Sequence, residues 1–103
     1  MKNEVIELIL QVIESQRDSL PKTIAVEKGV DASLYGPEGV LDSLALVRLI
    51  VGVEMAVEDR FEVSLTLANE RAMSQKRSPF LTIGTLAAYI EELLNEAGVK
   101  QPA

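Results

Sequence analysis

The chain has no cysteine and no histidine, and these two absences remove most of the chemistry open to a small protein. Without cysteine there is no disulfide, no thiolate nucleophile and no Cys-ligated metal, and a reducing cytoplasm is compatible. Without histidine, neither a Ser-His-Asp arrangement nor a site of imidazole metal ligands can be built. A Ser-Lys pair stays formally open, but none of the lysines falls on the helix expected to begin near Ser43. The stretch Gly36-Pro37-Glu38-Gly39 puts a proline and an acid where a phosphate loop needs backbone donors. The carboxylates lack calcium-loop spacing and form no recognisable acid-base pair. The sequence therefore predicts a protein without catalysis of its own.

Other scarcities narrow the class. Tyr35, Tyr89, Phe61 and Phe80 are all the aromatics, and the ten Lys and Arg residues against sixteen Asp and Glu leave a net charge of −6. That balance argues against nucleic acid and for basic partners or plain solubility. Residues 40–57 are mostly apolar, but Asp42, Arg48 and Glu54 interrupt them, so no membrane span is expected. The start, MKNEVIELIL, has one lysine and early glutamates and does not read as a signal peptide. A chain of 103 residues, 48% of them apolar, is expected to form one domain (1–103) around a single modest core. A cytoplasmic monomer is the expectation.

What is present is helical periodicity. Asn3 can cap a first helix with Val5, Ile9 and Val12 on one side, Ile6 and Ile13 beside them, and Glu4, Glu7, Gln11 and Glu14 opposite. It is expected to end near Ser19, because Pro21 blocks continuation. A loop of about twenty residues follows, Leu20 to Leu41, and loops that long in small domains are usually functional. The second helix is expected from Asp42 or Ser43 to about Arg60. A short third helix is expected over Thr66–Gln75. The last is capped by Thr82, striped by Ile83, Leu86, Ile90, Leu93 and Leu94, and stopped by Gly98. No window shows strand alternation. The predicted class is all-α, a bundle of three longer helices and one short one.

Ser43, in Gly39-Val40-Leu41-Asp42-Ser43-Leu44, carries two readings. Asp-Ser at a helix N-terminus is ordinary capping. Yet a serine there also lies beside unpaired backbone N–H groups and the positive end of the helix dipole, a setting that suits a covalently attached phosphodiester.

Leu41-Asp42-Ser43-Leu44, reached through a glycine-bearing loop and opening a long helix, resembles the attachment motif of acyl carrier proteins and their peptidyl and D-alanyl carrier relatives. The likeness spans nearly the whole chain. The first helix matches in place and length, Ser33-Leu34-Tyr35-Gly36 resembles the stretch before the motif, and Asp59-Arg60-Phe61-Glu62-Val63 resembles the end of the second helix. Thr82-Ile83 through Tyr89-Ile90 resembles the last helix. The resemblance implies an acyl-carrier-like four-helix bundle in which Ser43 carries 4′-phosphopantetheine. A phosphopantetheinyl transferase would take the arm from coenzyme A, and its thiol would hold an acyl group as a thioester. Asp42 would help present the serine, and Leu44 would contact partner enzymes: an acyl-activating ligase, a synthase or an acyltransferase of a lipid, polyketide or related pathway. An aminoacyl or peptidyl carrier, or an unmodified helical adaptor with Ser43 as a plain cap, are the alternatives.

Three departures from the common pattern stand out. Phe61 arrives about one helical turn late, and four added residues nearly preserve the helical face. The segment from Ser64 to Pro79 is enlarged, as in specialised carriers. Arg48 stands where fatty-acid carriers usually place an acid and peptidyl carriers often place arginine.

The second helix divides into two faces. Leu46, Leu49, Ile50, Val53 and Val57 form the expected core side. Leu44, Val47, Val51 and Met55 form a second apolar stripe, with Arg48, Glu54, Glu58 and Asp59 among them. Either the enlarged segment buries this stripe, or the stripe stays open as a docking surface for partners. Gly52 and Gly84 likewise have two readings: close helix packing, or room for an acyl chain between the second and last helices.

Overall fold

The computed structural model describes residues 2–19, 24, 26–35, 41–67 and 79–98. Among them the protein is all-helical, with three α-helices: α1 (Lys2–Ser15), α2 (Ser43–Phe61) and α3 (Ile83–Glu96). Two 3-10 segments, Arg17–Ser19 and Val26–Asp31, lie between α1 and α2. Among the described residues there is no strand, only one isolated antiparallel bridge between Ser33 and Thr82.

Helix α1 packs against both other helices. Val5, Leu8, Ile9, Val12 and Ile13 are buried along it, while Glu7, Gln11 and Glu14 face solvent. This 3–4 spacing is the amphipathic pattern expected, with Leu8 added to the core and Ile6 left half-buried. Two boundaries differ from expectation. The helix begins at Lys2, so Asn3 lies within it and is not the cap. It ends at Ser15 and not near Ser19, for a local reason. The Ser15 hydroxyl donates to the Val12 carbonyl at 2.7 Å, and the Gln16 N–H splits between Val12 and Ile13 at 3.1 and 3.2 Å. A side chain competing for a helical acceptor loosens the ladder, and the chain tightens into the 3-10 turn.

Helix α3 follows its sequence closely. Thr82 caps it in a reciprocal box with Thr85, in which Thr85 N–H donates to Thr82 Oγ1 at 3.1 Å and Thr82 N–H donates to Thr85 Oγ1 at 3.0 Å. Ile83, Leu86, Ala87, Tyr89, Ile90 and Leu94 are buried, and Gly98 follows the last turn at φ 85°. Phe80 meets Tyr89 edge-on at 6.4 Å between ring centres, filling the corner where the chain enters α3.

The short third helix expected from Thr66 is not borne out at its start. Thr66 and Leu67 belong to no helix, and residues 68–75 lie outside those described. Leu67 is anchored from two sides instead. Its N–H donates to Glu54 Oε2 at 2.7 Å, and its carbonyl accepts the Tyr89 hydroxyl at 3.2 Å. Satisfying the backbone of a buried residue with side chains removes the need for a helix there.

The two glycines inside helices serve close packing. A Cβ on Gly52 would stand 2.5 Å from Gln16 Nε2 and 2.9 Å from Val12 Cγ1, both from the α1 end of the chain. A Cβ on Gly84 would stand 2.9 Å from the Val30 carbonyl oxygen. Of the two readings, close packing holds at these positions and shared room between α2 and α3 does not: Gly52 faces Gln16 and Val12, and Gly84 faces Val30.

Candidate functional site

The start of α2 is held in place by the long loop. Ala32 and Leu34 are fully buried, and the backbone from 32 to 35 is stitched to the entry of α3. Leu34 N–H donates to Leu81 O at 2.7 Å, Tyr35 N–H to Phe80 O at 3.2 Å, and Ile83 N–H to Ala32 O at 3.1 Å. Leu41, itself buried, donates its N–H to Leu34 O at 3.0 Å. The residue two before Ser43 is thus tied to the same framework that starts α3.

Asp42 is the N-cap. Its backbone is extended (φ −84°, ψ 177°), its Oδ1 accepts the Ala45 N–H at 2.8 Å, and its carbonyl accepts the first helical bond, from Leu46, at 2.9 Å. Ser43 is therefore the first helical residue and not the cap. The N–H groups of Ser43 and Leu44 precede the first helical hydrogen bond and have no intrahelical acceptor. Asp42 and Leu44, on either side of the serine, are exposed.

Along α2 the two expected faces separate cleanly. Leu46, Leu49, Ile50, Val53 and Val57 are buried. Leu44, Val47, Val51 and Met55 are 62, 54, 47 and 66% exposed, so the described part of the enlarged segment does not cover the stripe. Arg48 is exposed within it. A shallow, mostly apolar groove runs between the stripe and the end of α1, lined by Gln16, Val47, Arg48, Val51, Gly52 and Met55. Farther along, Met55, Ala56, Glu58, Asp59 and Glu62 line an acidic depression.

Glu54 stands apart from the other expected recognition residues. It is half-buried, and one carboxylate oxygen holds the Leu67 N–H. Gln16 is the residue that sequence reasoning missed. Its Nε2 donates to the Arg48 carbonyl at 2.9 Å, crossing from the end of α1 to α2 where Gly52 leaves room. A polar residue at the end of an amphipathic helix carries no signal of such a reach.

Among the described residues, no helix is long and apolar enough to cross a membrane. No family model matches the chain, and comparison with curated proteins and with solved structures gives no significant match.

Proposed function

We propose that this chain is a carrier protein, with Ser43 as the attachment point of a 4′-phosphopantetheine arm delivered from coenzyme A by a separate phosphopantetheinyl transferase. When bound, the arm supplies a thiol that holds an acyl group as a thioester. One observation carries the reading. Asp42 takes the capping role, which leaves Ser43 in Leu41-Asp42-Ser43-Leu44 as the first helical residue and not the cap. The local surroundings fit the group: the serine opens a 19-residue helix, is flanked by exposed residues, and lies next to backbone donors that favour a phosphodiester.

The chain's own residues would then divide the work. Asp42 orders the first turn and offers a negative charge beside the serine to the transferase. Leu44, Val47, Val51 and Met55 present apolar contact to an acyl-activating ligase, a synthase or an acyltransferase. Arg48 sets the charge that such a partner must match, and Glu54, bound to Leu67, shapes the edge of the surface. The fold that goes with this reading is the acyl-carrier-like four-helix bundle, of which α1, α2 and α3 would be the three longer helices.

Intact mass tests the proposal. Incubation with coenzyme A and a broad-specificity phosphopantetheinyl transferase should add one arm to the wild-type chain and none to Ser43→Ala. A folded wild-type chain that stays unmodified would instead favour a helical adaptor that binds through the open face of α2.

A further inference from the structure

We propose that the open face of α2 is also a self-association surface, on which a second copy of this chain lays its own α2 antiparallel, about a two-fold axis passing between Val53 and Glu54. The helix carries both halves of its own complement. Arg48 is exposed near its start, and Glu58, Asp59 and Glu62 are exposed at its end. Among the described residues, none of these four forms an ion pair. Between the two ends lie Val51 and Met55, with Leu44 and Val47 completing the stripe.

The register follows from helix geometry. At about 100° per residue, Leu44, Val51 and Met55 define the middle of the face, and Arg48 and Asp59 fall on the same flank, about 20° apart. A two-fold axis perpendicular to both helices preserves the flank and reverses the axial direction. Arg48 and Asp59 are equally far from the axis, roughly 8 Å on either side at about 1.5 Å per residue. Each Arg48 therefore faces Asp59 of the second copy, while Val51 and Met55 of the two copies cluster around the axis, within about one residue of facing each other. A parallel pairing would instead exchange the flanks, leaving the two Arg48 level with each other on opposite flanks and neither beside Asp59 of the second copy.

The contact is one helix wide, well under the roughly 800 Å² per partner of a standard stable interface. Glu58 and Glu62 stay at its edges without a cation. The association is accordingly weak and reversible, shielding apolar surface while leaving it available to a docking enzyme. Ser43 lies at the rim of this face, so the inference holds with or without the arm. The monomer expected from sequence is then one side of a concentration-dependent equilibrium.

Sedimentation equilibrium of the unmodified full chain, from micromolar to millimolar concentration, should show a reversible monomer–dimer equilibrium. Met55→Glu should raise the dimer dissociation constant at least about tenfold, with far-UV circular dichroism unchanged because Met55 is exposed. Arg48→Asp should raise it roughly fivefold, and the double variant Arg48→Asp/Asp59→Arg should return it close to wild type. A chain that stays monomeric to millimolar concentration overturns the proposal. So does a dimer indifferent to Met55→Glu, or one that the double variant fails to restore.

Discussion

The Asp42 carboxylate accepts the Ala45 N–H at 2.8 Å, and this one bond makes Asp42, and not Ser43, the cap of α2. Capping falls to the aspartate, and Ser43 is released from it. Asp42→Ala should therefore cost about 1 kcal/mol of stability, the usual loss of an N-cap. Ser43→Ala should stay within roughly 0.5 kcal/mol of wild type, as an exchange at a position with no cap to lose. Urea unfolding of the two variants side by side checks the assignment, and a larger loss for Ser43→Ala would reverse it.

Asp42→Asn separates the cap from the charge. The amide oxygen still accepts from Ala45, and asparagine is as good a cap as aspartate. The variant should unfold at nearly the wild-type midpoint yet accept the phosphopantetheine arm more slowly. Equal transfer rates would show that the transferase does not read the charge at this position.

Gly52→Ala sets two opposed effects against each other. Alanine gains about 1 kcal/mol in helix propensity. Its Cβ, however, would sit 2.5 Å from Gln16 Nε2 and 2.9 Å from Val12 Cγ1. Overpacking of that kind costs typically 1–3 kcal/mol, and displacing Gln16 also removes its bond to the Arg48 carbonyl. A net loss of about 1 kcal/mol is expected in thermal or urea unfolding. Gln16→Ala in the same background should recover part of it, and a Gly52→Ala variant more stable than wild type would show that the α1–α2 contact yields easily.

Glu62 ends α2 in the left-handed region, at φ 58° and ψ 33°, with its N–H donating to the Glu58 carbonyl. A residue with a Cβ is strained there, and glycine is not. Glu62→Gly should raise stability by roughly 0.5–1 kcal/mol without moving the end of the helix. A destabilised variant would mean that the glutamate side chain contributes more than its backbone strain costs.

Tyr89→Phe removes the hydroxyl that donates to the Leu67 carbonyl at 3.2 Å and keeps the ring against Phe80. A buried carbonyl then loses one donor, for about 1 kcal/mol. Amide exchange at Leu67 should speed up more than exchange in the middle of α2. Uniform change across both would indicate that residues 63–67 unfold only with the whole protein.

The boundaries of α2 and α3, the core face of α2 and the cap of α3 were legible in the sequence. Each rests on interactions within a few residues: a cap and its acceptor, or apolar side chains spaced at 3 and 4 along one helix. That α2 opens at Ser43 was legible in the same way, because a helix start is local. The end of α1 at Ser15 was less so, since the Pro21 stop signal was stronger in the sequence than the competition for the Val12 carbonyl that ends the helix earlier.

Other features were decided only in three dimensions. Gly52 faces Gln16 and Val12 while Gly84 faces Val30, Glu54 is drawn to Leu67, and Val47, Val51 and Met55 stand open. Periodicity states which residues share a helical face. It does not state which of two apolar faces finds a neighbour, because that depends on how α1, α2 and α3 pack once the chain has closed.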